Sequence, residues 1–181
     1  FMTMLGTQAL TDIIVQKGIH KPNEILLELD KTLYKLLKSD SSRLVDGMDI
    51  VICVIDKIAK TLTFAGAKNP IILIHDNELH EIKGDKISIN GPRKSRENIQ
   101  YQNHNVEFTP STMLYMYSDG FQDQFGGEDN RKFMKKRWKK LLLEISHLPI
   151  STQKEHLENT LKDWMQKNTQ VDDILVMGIK Y

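Results

Sequence analysis

Apolar positions near the start of the chain recur with a helical period. Met4, Leu5, Ala9, Ile13 and Ile14 are spaced so as to predict a helix over residues 1–17, which "GIHKP" then breaks. Asn23 is placed to cap a second helix, whose Ile25, Leu26, Leu29, Leu33, Leu36 and Leu37 form one apolar stripe. "KSDSSR" follows as a polar loop. From Met48 the period shortens. "MDIVICVID" is a dense β-branched run, and "KIAKTLTFAGA" adds a turn and a second strand to complete a hairpin. "PIILIHD" and "ELHEIK" predict another hairpin, turning at Asp76 and Asn77. Residues 83–100 read as a loop, with "QNHNVEFTP" and "TMLYMYS" as two further strands.

The helical period returns at 130–145, with Met134, Trp138, Leu141, Leu142 and Ile145 on one face. A last helix starts at Ser151 or Thr152 and runs through Leu157, Leu161, Trp164 and Met165, and "DDILVMGIKY" ends the chain as a strand. Two helices, about six strands, two helices and one strand predict an α+β fold with mostly antiparallel sheet.

Composition narrows the function classes. The 181 residues suit one domain and include 40% hydrophobic and 27% charged residues. A net charge of +1 gives no global attraction to nucleic acid or membrane. The single cysteine, Cys53, lies in "IVICVI" and reads as a small core hydrophobe; a reducing, cytoplasmic setting follows from the absence of any pairing partner. No apolar run reaches the roughly 20 residues of a membrane span, and residues 1–18 lack the features of a signal peptide. The chain opens on Phe1 and is expected to be part of a longer protein.

Two acidic sites fall at strand ends. Asp119 follows "LYMYS", and Asp172 and Asp173 precede "ILVMGI". Carboxylates beside an apolar core must be solvated, paired or metal-bound. Hard cations such as Mg²⁺ or Mn²⁺ take carboxylate oxygens and keep several waters. Asp-Gly is also a common turn, so both readings stand on the residues alone.

"DGMDIVICVID", "LTFAGAKNPIILI", "LYMYSDGFQDQFGG", "KF" at 132–133 and "VDDILVMGIKY" succeed one another in an order that resembles the SpoIIE-like branch of the metal-dependent Ser/Thr protein phosphatases (PPM), over nearly the whole chain. The resemblance implies an αββα sandwich flanked by helices and a dinuclear Mn²⁺ or Mg²⁺ centre. Asp119 matches one ligand; Asp172 matches another, with Asp173 as second choice; Gly120 allows the close turn after the ligand. It also implies attack of a metal-activated water on phosphoserine or phosphothreonine, without a phosphoenzyme. The implied substrate is a phosphorylated protein like an anti-sigma-factor antagonist, in sigma-factor partner switching. A sensor or receiver domain is expected upstream.

Relatives also carry an Asp-x-x-Gly-His-Gly motif just before a segment like "FMTMLG", and these 181 residues do not contain it. The chain is therefore expected to be an N-terminally truncated phosphatase domain over 1–181, inactive alone, with strands missing. Its unpaired sheet edges favour a homodimer or exchange of elements. Residues 1–17 resemble a family switch element and read equally as a packing helix.

Two segments leave alternatives. "GAKNP" places Asn69 or Lys68 to touch phosphate or the substrate protein, or simply joins two strands. "RKFMKKRWKK" has seven basic residues in ten. It suggests a nucleic-acid or lipid face, or the solvated side of a helix that buries Phe133, Met134 and Trp138; the second is preferred, and no nucleic-acid partner is expected. The competing class is a non-catalytic phosphoprotein-binding module with a degenerate phosphatase fold. No chemistry is assigned to the histidines, which lack ligand spacing.

Overall fold

The computed structural model describes residues 2–38, 47–92, 98–107 and 109–180. The expected loop "KSDSSR" lies largely outside them. The chain forms two compact units, one from Phe1–Pro70 and Ile82–Phe108, the other from Ile71–Glu81 and Thr109–Tyr181.

In the first unit, α1 (Met2–Thr11) runs into a π-helical segment, Asp12–Gln16, before α2 (Pro22–Lys38). The expected first helix thus changes register within its last turns. Gln8 and Gln16 amides both donate to Asp12 Oδ1, at 3.1 and 3.0 Å. α2 buries Ile25, Leu26, Leu29 and Leu33, while Leu36 is 49% exposed and leaves the expected stripe. The sheet has the order β1–β2–β5, from β1 (Ile50–Asp56), β2 (Thr61–Ala67) and β5 (His104–Glu107), all antiparallel. Ala65 and Ala67 of β2 join α2, Ala9 and Ile13 in one core. Cys53 is only half-buried, and desolvation still pushes its thiol up to about 12.

In the second unit the sheet order is β4–β3–β6–β9, from β3 (Ile71–His75), β4 (Glu78–Ile82), β6 (Met113–Tyr117) and β9 (Val176–Lys180). Asp76 and Asn77 both take positive φ, 46° and 64°, which is the two-residue hairpin turn expected there. Ile72, Ile74, Met113, Tyr115 and Tyr117 form a core with Phe121, Phe133, Trp138 and Leu142.

Three boundaries differ from the periodicity. The helix expected over 130–145 starts only at Lys135 (α4, Lys135–Ile145). Arg131–Lys132 (β8) instead pairs with Phe125–Gly126 (β7), after the short helix α3 (Gly120–Asp123). Phe133 N donates to Gln124 O at 2.9 Å and Met134 N to Gln122 O at 2.7 Å, which ties this stretch to the preceding turn instead of to a helix. Met134 is consequently exposed and not part of the core face. α5 (Ile150–Met165) begins one residue early, behind Pro149. The final strand begins at Val176, so Asp172 and Asp173 precede it as irregular backbone. The α+β class with antiparallel sheets stands. Among the described residues, no helix is long and apolar enough to cross a membrane.

Candidate metal centre

β6 lies between β3 and β9, and its side chains are largely buried, so its C-terminal end is a fixed point. Tyr117 pairs with Val176 at the start of β9. Antiparallel pairing therefore brings the residues after Tyr117 alongside those before Val176. Ser118 extends the contact beyond the ladder. Its N–H donates to Leu175 O at 3.0 Å, its Oγ donates to Asp173 O at 2.7 Å, and the same Oγ accepts from Leu175 N at 2.9 Å.

Gly120 completes this junction. A Cβ there would collide with Asp173 O, and would stand 2.9 Å from the Asp173 carbonyl carbon and 3.0 Å from Ile174 Cγ1. The absence of a side chain, not an unusual φ, is what the position requires. "SDG" and "VDD", more than fifty residues apart, are thus brought together at one end of the sheet, with Asp119, Asp172 and Asp173 all exposed there.

Asp119 precedes α3 as its N-cap, yet its side chain makes no capping hydrogen bond. Among the described residues, the Asp119 and Asp173 carboxylates have no hydrogen-bond or ion-pair partner. Asp172 Oδ1 accepts from Asp173 N at 2.7 Å, which leaves its other oxygen for a cation. Exposed carboxylate oxygens are the donors Mg²⁺ and Mn²⁺ prefer, so the donor chemistry fits. No group of three or more His, Cys, Asp or Glu side chains converges at ligand spacing among the described residues, so the donor set is incomplete in number. The phenols of Tyr115 and Tyr117, raised well above their ordinary value by burial, stay protonated and serve packing.

Sequence reasoning missed Gln124. It is fully buried; its Nε2 donates to Thr169 O at 2.9 Å and its Oε1 accepts from Val171 N at 3.2 Å. These bonds anchor the backbone that leads into Asp172. Nothing in the polar stretch around it, with Gln122 and Asp123 alongside, set this glutamine apart.

Lys68 and Asn69 belong to the other unit. Lys68 takes a φ of 62°, and its N–H donates to Asp85 O at 2.7 Å. Its ammonium stands 4.0 Å from Asp49 Oδ1, which also accepts from Ser88 Oγ at 2.6 Å. The Asn69 carbonyl packs against Gly66 and Gly84, so this residue's backbone is held by close packing and its side chain is half-buried.

The family model described as stage II sporulation protein E (SpoIIE) matches residues 1–181. The chain belongs to the SpoIIE family. Among solved structures, the SiaA-PP2C domain of Pseudomonas aeruginosa is 30% identical, with a TM-score of 0.88 over 99% of this chain and 69% of that one. The PP2C phosphatase domain of SpoIIE from Bacillus subtilis, solved with a fragment of its regulatory domain, is 14% identical with a TM-score of 0.70, over 100% of this chain and 50% of that one. RsbX in complex with magnesium is 14% identical with a TM-score of 0.59, over 96% and 71%. The fold of this SpoIIE-family chain is therefore that of PP2C-type phosphatase domains. A sequence search of curated proteins gives no match.

Proposed function

We propose that this chain belongs to a protein serine/threonine phosphatase that hydrolyses phosphoserine or phosphothreonine on a partner protein. The observation that carries the reading is the Ser118–Gly120 junction, which joins the segment that bears Asp119 to the one that bears Asp172 and Asp173, in a chain that matches the SpoIIE family throughout. Mn²⁺ or Mg²⁺, when bound, would supply Lewis acidity and a water acidic enough to act near neutral pH. Asp119 and Asp172, with Asp173 as the alternative, would hold the metal. Gly120 permits the close approach, and Gln124 and Ser118 keep the two carboxylate-bearing segments in place. Lys68 and Asn69 are proposed to contact the phosphoprotein.

We further infer a role in partner switching of sigma-factor regulators in the cytoplasm, with an anti-sigma-factor antagonist-like substrate and an upstream sensor or receiver domain. The support is the family's membership. The chain has no Asp-x-x-Gly-His-Gly, so catalysis is proposed to need that segment, and the 181 residues alone to be inactive. Residues 1–17, with their π-helical segment, are proposed as the element that conveys regulatory input, since π-segments recur at functional sites.

The test is Mn²⁺-dependent hydrolysis of p-nitrophenyl phosphate by the full-length protein, its Asp119→Asn variant and the 181-residue chain. Activity only in the unmodified full-length protein supports the reading. A folded full-length protein with Mn²⁺ and no turnover would favour the phosphoprotein-binding alternative.

A further inference from the structure

We propose that the exposed surface around Met134, flanked by Arg131, Lys135 and Lys136, docks an acidic segment of a protein partner. Met134 carries φ 76° and ψ 147°, backbone space that glycine enters freely and a methionine enters only under strain. The flanking backbone enforces it, through Met134 N to Gln122 O and Trp138 N to Met134 O at 3.1 Å. The side chain recovers little in return, because Met134 is 56% exposed. Within the chain a glycine would serve this position better, so the methionine points to a contact made outside it.

The charges around it lead the same way. Lys139 pairs with Glu81 at 3.1 Å and Lys140 with Glu144 at 3.5 Å, while Lys132 pairs with Asp123 at 3.0 Å. Arg137 lies 4.8 Å over the Trp164 ring. Arg131 has a loose contact with Asp129, 3.6 Å away. Lys135 and Lys136 are exposed and have no ion-pair partner among the described residues. They begin a helix with no acidic residue in its first turn, where cations oppose the macrodipole. An unbalanced cationic rim around a flexible, polarizable apolar side chain fits carboxylates alternating with an apolar residue.

The patch adjoins the candidate metal centre along the chain. Asp123, the partner of Lys132, closes α3, and Asp123 N donates to Asp119 O at 3.0 Å. A partner held at Met134 would lie near the Asp119 end of the sheet. As a substrate-docking surface the inference rests on the phosphatase reading; as a binding surface it stands apart from it.

The experiment titrates full-length protein into a fluorescent, unphosphorylated peptide of alternating Glu and Leu and follows anisotropy. The Lys135→Glu/Lys136→Glu variant should weaken binding by about tenfold or more, equivalent to about 1.4 kcal/mol. Lys167→Glu, a charge reversal elsewhere on the same unit, should leave it nearly unchanged. Met134→Gly should weaken binding while raising the melting temperature, a combination that a purely structural methionine would not give. Equal loss with Lys167→Glu, no peptide binding, or a lower melting temperature for Met134→Gly overturns the proposal. Binding of single-stranded DNA or phosphatidylserine vesicles in place of the peptide overturns it too. p-Nitrophenyl phosphate turnover is read in parallel. Its absence would remove the phosphatase reading and leave the docking result standing, and turnover without peptide binding would remove only the docking surface.

Discussion

Asn103 caps a helix that begins eighty residues before it. Its Oδ1 accepts from Asn23 N at 2.9 Å, and its Nδ2 donates to Asn23 Oδ1 at 2.7 Å. Asn23 was expected to be the cap; instead it lies in the first turn of α2 and is itself capped. Replacing Asn103 by Ala should lower stability by about 1 kcal/mol. Asn23→Ala keeps the capping acceptor and should cost less. Urea unfolding of both variants checks the order, and a larger loss for Asn23→Ala would reject Asn103 as the cap.

Gly120→Ala should be destabilising by about 1–3 kcal/mol, because the new methyl meets the Asp173 carbonyl and backbone cannot give way as a side-chain tip can. The same variant should lose Mn²⁺-dependent activity in the full-length protein. Unchanged unfolding midpoint would show that the Gly120 and Asp173 backbones do not approach as closely as described.

Gln124→Met keeps the volume and removes the polar group. Thr169 O and Val171 N then lose their part-buried partners, at about 0.5–1.5 kcal/mol for each hydrogen bond. Hydrogen exchange should speed up at residues 169–175 before the sheet core is affected. Uniform acceleration across the chain would argue against a local anchoring role.

Lys17 Nζ lies 2.7 Å from Glu28 Oε1 and ties the end of the π-helical segment to α2. The lysine's hydrogen bond, followed by its charge, holds the Glu28 carboxyl below its ordinary value despite partial burial. A depressed carboxylate contributes stability that is complete above the unfolded-state pKa and disappears as pH falls through the folded one. Glu28→Gln should therefore cost about 0.5 kcal/mol at pH 7 and nothing once Glu28 is protonated. A stability difference that persists at pH 2 would exclude the ion pair as its source.

Cys53, with its thiol raised to about 12, should react slowly with dithionitrobenzoate at pH 8 in the native protein and at once in guanidinium. Rapid native reaction would mean that β1 opens readily.

The linear pattern determined the order of the main helices and strands, the Asp76–Asn77 turn, most of the apolar face of α2 and the placement of Asp119 just after a strand. Each depends on neighbours within a few residues, where period and turn chemistry act directly. The pattern misjudged residues 130–134, since a helical period says nothing of the hydrogen bonds that Gln122 and Gln124 offer from an earlier turn. Tertiary structure alone decided that Ser118 grips Asp173 and Leu175, that Gln124 anchors residues 169–171, and that Asn103 caps α2. These contacts join residues some forty to eighty positions apart. Their partners are fixed only when sheet register and core packing bring distant polar groups into reach, which no local pattern of residues can specify.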